Sequence, residues 1–183
     1  MGPMSVSRTI LAIAAALALA GVARAAAAPP AKAAPDPPPP STLDEKTVSA
    51  WAARHLKGDG WVLVNFDAEG IRLATPDGVA LMSDGLVETD IRHELFTPVS
   101  VSVGQARSGL AHWAVDCKAR RFSVVRMTIF AHNNLQGPVA QKIGDRTTWQ
   151  DPVASENDTL DAVCEAIRSG KRLEARPPHH APS

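Results

Sequence analysis

Residues 109–117 read GLAHWAVDC, and the alternation within this stretch decides the fold. Side chains on a strand point to opposite faces in turn, so Ala111, Trp113, Val115 and Cys117 share one face, and Leu110, His112, Ala114 and Asp116 share the other. The first set is apolar, which turns Cys117 inward beside Trp113. The only other cysteine, Cys164, lies in a segment of different period. Leu160, Val163, Cys164 and Ile167 recur at i, i+3, i+4 and i+7, the spacing of the buried stripe of a helix. A capping signal from Ser155 to Asp158 opens that helix and Gly170 ends it. A strand and a helix thus each present one cysteine to a core.

On either side of this strand the chain divides into short runs of period two. Val62, Val64 and Phe66 alternate with Trp61, Leu63 and Asn65, and turn signals follow at Glu69-Gly70, Pro76-Asp77-Gly78 and Asp84-Gly85. Further strands are expected over residues 71–75, 79–82, 86–94, 121–130 and 138–143. Most connections are too short for parallel crossovers, so an antiparallel meander is the economical arrangement. In the strand that follows Cys117, alternation puts Phe122, Val124, Arg126, Thr128 and Phe130 on one face, opposite Val125, Met127 and Ile129. Both faces are apolar. One is expected to meet the C-terminal helix, and the other an N-terminal helix or a second subunit. Lys118, Arg120, Arg121 and Arg126 form a basic cluster in this region, a candidate binding surface for an acidic partner. Positive charges also guard an edge strand against sheet-to-sheet association.

Ahead of the first strand, Thr42 and Glu45 make a capping-box pattern for a helix within residues 42–58, running to about Lys57 and stopped at Gly58. Val48, Trp51, Ala52 and either His55 or Leu56 lie along one side of it. Residues 26–40 read AAAPPAKAAPDPPPP, with seven prolines and almost no large apolar side chain. The stretch 26–41 is therefore expected to be a disordered Pro/Ala-rich spacer of polyproline II character, and residues 171–183 a disordered tail. Residues 1–25 carry the pattern of a signal peptide: Arg8, an apolar run over 10–20, and Ala23-Arg24-Ala25 as the small-x-small cleavage site. That run is shorter than the about 20 residues of a membrane helix, so no stable membrane span is expected. No cysteine stands at the cleavage point to take a lipid. The mature chain is expected in the periplasm, secreted, or at the cell surface. In such an oxidising compartment the two inward-facing cysteines pair, and a Cys117–Cys164 disulfide ties the C-terminal helix to the sheet. The 19 Lys and Arg residues balance 19 Asp and Glu, so bulk charge recruits neither nucleic acid nor a membrane surface.

The ordered set Trp61, Ser108 ahead of Trp113, Asp116-Cys117, Arg120-Arg121, Gly137, Trp149, Pro152, Ser155 and Cys164 resembles the surface-adhesin protein E family of bacterial envelope proteins, over about residues 60–170. The resemblance implies an α+β fold: an antiparallel sheet of about six strands with a C-terminal helix fastened to one face by the disulfide. It also implies adhesion to extracellular or host proteins. Two features depart from the family pattern. The lipid-anchoring cysteine has no counterpart here, and the N-terminal helix is additional.

The sequence assembles no catalytic constellation. His112 and Asp116 share a strand face but stand about 13 Å apart, beyond hydrogen-bond reach. His93 and His132 fall near strand ends, there is no GxSxG, HExxH or glycine-rich phosphate loop, and the disulfide consumes both thiols. His55, His93, His112 and His132 lack metal-ligand spacing. No catalytic, cofactor-binding or metal residue is expected. The function is read as non-catalytic binding of an extracellular or envelope protein. The alternatives are a periplasmic accessory or structural subunit of an envelope complex and, third, an enzyme of unknown type. A homodimer through a sheet face stays open. If the Val48 and Trp51 stripe covers the second sheet face, deleting residues 41–58 exposes it. Light scattering should then detect dimers or aggregates, and an unchanged monomer with unchanged melting would contradict that cover.

Overall fold

The computed structural model describes residues 35–173. The expected signal peptide over residues 1–25, the spacer up to residue 34 and the tail beyond residue 173 lie outside the described residues. The elements run α1 (Glu45–His55), β1 (Val62–Phe66), β2 (Gly70–Ala74), β3 (Ala80–Leu81), β4 (Val87–Val101), β5 (Gly104–Asp116), β6 (Arg121–His132), β7 (Gln136–Ile143) and α2 (Ala154–Ser169). Short turns join the strands, and every pairing is antiparallel. Six strands form the ladder β1-β2-β4-β5-β6-β7, and the two-residue β3 pairs with β4 off that path. This is the expected α+β architecture, with β3 as a short seventh strand.

Local chemistry sets the helix ends. Asp44, rather than Thr42, caps α1: its carboxylate accepts the Thr47 amide at 2.9 Å, and the Thr42 hydroxyl donates to the same carboxylate. The helix stops two residues short of Lys57 because Leu56 is already extended. In α2 the Glu156 carboxylate reaches back to the Val153 amide at 3.0 Å, so the helix opens one residue before Ser155. Gly170, left-handed at φ 64, closes it as the sequence implies.

Two irregularities change what alternation alone suggests. In β6, His112 pairs with Arg126 but Trp113 pairs with Val124, so Val125 is an extra residue. A bulge of this kind reverses parity along a strand. Met127 and Ile129 therefore share a face with Phe122 and Val124, and the expected grouping of Phe122 and Val124 with Arg126, Thr128 and Phe130 is corrected. The second irregularity lies between Glu94 and Val99, where four residues of β4 stand opposite Arg107 alone. Pro98, which has no amide to give, sits in it. Beyond it β4 and β5 resume pairing up to Val101 and Gly104, so the hairpin is longer than the expected strands over 86–94 and 109–117.

Alternation along β2 sorts the apolar side chains into two cores. Ala74 joins Val64, Val87, Ile91, Trp113, Val115 and Phe122 beneath Leu160, Val163 and Cys164 of α2. The Trp113 and Phe122 rings stack there at 4.1 Å. Ile71 and Leu73 face the other way and meet Val48 and Trp51 of α1, together with Leu63, Phe66 and Phe96. α1 thus covers the second face at its β1–β2 end, not over β6. Residues 35–38, within the expected spacer, lie against the domain. The Pro38 carbonyl accepts Trp51 Nε1 at 2.6 Å, and the Asp36 carboxylate accepts the Asn133 amide at 2.9 Å beside His132 Nδ1 at 3.0 Å.

Cys117 and Cys164 are bonded, joining the β5–β6 turn to α2 across 47 residues of sequence. Closing a loop of that length removes unfolded-chain entropy worth about 4 kcal/mol. Replacing both cysteines with serine should lower the unfolding free energy by up to about 4 kcal/mol in urea titration. A loss under about 1 kcal/mol would mean that packing alone holds the helix.

Candidate binding site

The basic residues singled out in the sequence occupy two places. Lys118, Arg120 and Arg121 sit at the β5–β6 turn beside the disulfide, while Arg126 lies five residues along β6, about 17 Å from Arg121 at the rise of a strand. Arg120, left-handed at φ 55, pairs with Asp161 of α2 at 2.6 Å. Arg121 pairs with Asp116 at 3.2 Å and lies over the Trp149 ring at 4.6 Å. The Ala119 amide and Arg121 hold the Asp116 carboxyl below its ordinary range. Lys118 and Arg126 are exposed.

The histidines fall into separate settings. His112 is held by Asp90, its cross-strand neighbour, at 2.9 Å from Nδ1, with Glu88 at 3.6 Å from Nε2. Asp116 is not its partner. His132 contacts Asp36, and His55 packs its ring on Trp51 at 5.6 Å. Among the described residues no group of three or more His, Cys, Asp or Glu is placed to hold a metal ion. Nor is any described helix long and apolar enough to cross a membrane.

The face that carries α2 is only partly covered by it. Between α2 and the tip of the β4–β5 hairpin lies a trough of about 410 Å³. Its floor is Ile91, Gly109, Ala111 and Trp113; Phe122, Val124, Met127 and Ile129 form the β6 side, and Val99 and Val101 the hairpin end. The β6 bulge creates this site, because only the reversed parity brings Met127 and Ile129 to it. Sequence alternation placed those two side chains on the opposite face from Phe122 and Val124, so the site was missed. The bulge has no signal in the residues themselves, since Val124 and Val125 are equally suited to either face.

His93 and Arg72 close the trough on the β2 side. Arg72 pairs with Asp67 at 2.9 Å. His93 Nε2 is enclosed and has no hydrogen-bond partner among the described residues. Burial, aided by the Arg72 charge and opposed by Asp67, pushes the His93 imidazole down to about 4. The ring is therefore neutral at physiological pH.

The family model for surface-adhesin protein E matches residues 60–165. Solved structures of Haemophilus influenzae protein E are also similar. Crystal form II shares 12% identity at a TM-score of 0.43, covering 63% of this chain and 93% of that one. The protein from non-typeable Haemophilus influenzae shares 12% identity at 0.43, covering 66% and 84%. No curated protein matches in sequence.

The enclosed histidine gives the fold a pH dependence of definite sign. An unfolded chain takes up a proton at His93 near 6.5, whereas the folded chain resists until about 4. Between these values the unfolded state binds more protons, so stability is lost as pH falls. From pH 7 to pH 4.5 the protein should lose roughly 2–3 kcal/mol more than His93→Phe, measured by urea unfolding at both values. Equal losses in the two proteins would mean that the ring is hydrated.

Proposed function

The chain belongs to the surface-adhesin protein E family, and on that premise we propose that it is an exported protein that binds an extracellular or envelope protein without catalysing a reaction on it. The observation that carries the reading is the family match over residues 60–165, which takes in the whole sheet and most of α2. The signal-peptide pattern over residues 1–25 supports export. A cystine joining strand turn to helix suits an oxidising compartment.

The contact surface we assign to the partner is the β5–β6 turn. Lys118, Arg120 and Arg121 project there from a segment held by the disulfide, the Arg120–Asp161 pair and the Arg121–Trp149 stack. Held in this way, the turn loses little further freedom on binding, and its charge favours an acidic patch on the partner. Arg126 lies mid-strand and would extend that contact only for a broad partner.

Two measurements test the proposal together. Protease added to intact cells should digest the domain, as it would not digest a known periplasmic control, and the purified chain should bind an extracellular protein saturably. Lys118→Glu should weaken that binding about fivefold or more, with unchanged melting. Protection until the outer membrane is permeabilised would exclude adhesion and favour an accessory subunit inside the envelope.

A further inference from the structure

We infer that the trough beside α2 is a binding site for one free long-chain fatty acid, a ligand distinct from the protein partner proposed above. Three observations carry this. The trough is long: its lining follows β5 from Ala106 to Trp113, seven residues or about 23 Å at the rise of a strand. Its volume of about 410 Å³ is that of a small-ligand site. Its walls are predominantly apolar, with Ile91, Ala111, Trp113, Val124, Met127 and Ile129 in the central stretch.

The backbone beneath the trough selects between an alkyl chain and a peptide. β5 pairs with β4 on one side and with β6 on the other, so the floor has few free amides or carbonyls to offer. An extended peptide laid on it would bury its own backbone groups without partners, at a cost for each. An alkyl chain carries no such groups and gains with every methylene it removes from water. Arg72 is the cation of the lining, and its pair with Asp67 uses one nitrogen, leaving donors for a carboxylate head. The two acidic lining residues do not occupy that place: Glu69 is exposed at the rim, and Glu156 is engaged with the Val153 amide. The neutral His93 ring adds no charge to the floor.

Dansyl-undecanoic acid, titrated into the purified chain, is the probe. The expected result is saturable emission from one probe per chain, excited by energy transfer from Trp113, and displaced by unlabelled palmitic acid. Ala111→Phe, which fills the floor, and Val99→Asp, which charges the exposed hairpin end, should each weaken binding about tenfold or more. Leu81→Asp and Lys118→Glu, both outside the trough, should leave it unchanged. Val99 is 41% exposed, so its variant needs no repacking and decides the matter should Ala111→Phe fail to fold. Absence of saturable emission, equal binding by wild type and Val99→Asp, or displacement by apolar peptide or phospholipid vesicles but not by palmitic acid would overturn the inference. Equal affinity for the methyl ester would overturn the assignment of the head group to Arg72.

Discussion

The cystine between Cys117 and Cys164 fixes where α2 can lie, and the division of the sheet into covered and open parts follows from it. The helix has a second anchor at its start, where Asn65 Nδ2 donates to the Ser155 carbonyl at 2.7 Å. Nine residues separate the two anchors, about 13 Å of helix, so α2 can neither slide nor pivot toward the hairpin tip. Arg120, reaching Asp161 from the same turn as Cys117, opposes rotation about the disulfide. Leu160 and Val163 then bury Trp113 and Phe122 at one end of the face. Among the described residues the other end receives no helix. The β4–β5 hairpin extends past it, and its valines bound a trough in place of a cover.

The opposite face is organised by a charge. Glu94 is fully buried, and a bare carboxylate there would be costly. Arg92 pairs with it at 2.6 Å, Asn133 Nδ2 donates at 2.8 Å and the Asn134 amide at 3.0 Å. Burial pushes the Glu94 carboxyl upward, while Arg92 and these donors pull it back. The same groups reach outward. Arg92 donates to the Lys57 carbonyl, Asn134 Nδ2 to the His55 carbonyl, and Asn134 Oδ1 accepts the Lys57 amide. The end of α1 is thereby joined to the β6–β7 turn. That turn holds Asn134 and Leu135 at φ 63 and 55, a region unfavourable for leucine. The Leu135 amide donates to Ser108 Oγ, and the Asn134 amide to Glu94, which fixes the turn in that conformation.

What could be read in the sequence was what depends on a few neighbouring residues. The i, i+3, i+4, i+7 stripe of α2, the Gly170 stop and the inward turn of Cys117 are local patterns, and they suffice to bring the two cysteines together. The buried polar network was not legible. Glu94, Arg92, Asn133 and Asn134 look like ordinary strand and turn residues, and their partnership depends on pairing across as many as 42 positions. The extended hairpin was hidden by Pro98, which argues against a strand unless an irregularity is there to receive it. That irregularity is tolerated because its backbone groups find other partners: the Phe96 amide donates to the Glu69 carbonyl, and Asn133 Nδ2 reaches the Leu95 carbonyl. Nor does proline content settle order. Residues 35–38 have almost nothing to bury, yet Asp36 and the Pro38 carbonyl find donors on the domain.

The family match begins at residue 60, after α1 ends at His55. Yet Leu63, Phe66, Ile71, Leu73 and Phe96, all within the matched region, are closed off by Val48 and Trp51 of that helix. An apolar sheet face left to water costs stability and invites association, so the helix serves the matched domain as part of its core. Its fastening has two independent parts. The Trp51 ring meets Phe96 edge-on at 5.2 Å, and its Nε1 holds the Pro38 carbonyl, while the far end of the helix is held by Asn134. Apolar packing supplies most of the energy, and the polar contacts at either end determine the register in which it is gained. With the β1–β2 end of this face closed by α1, the trough is left, among the described residues, as an uncovered apolar stretch of the other face, on the side that the disulfide leaves free.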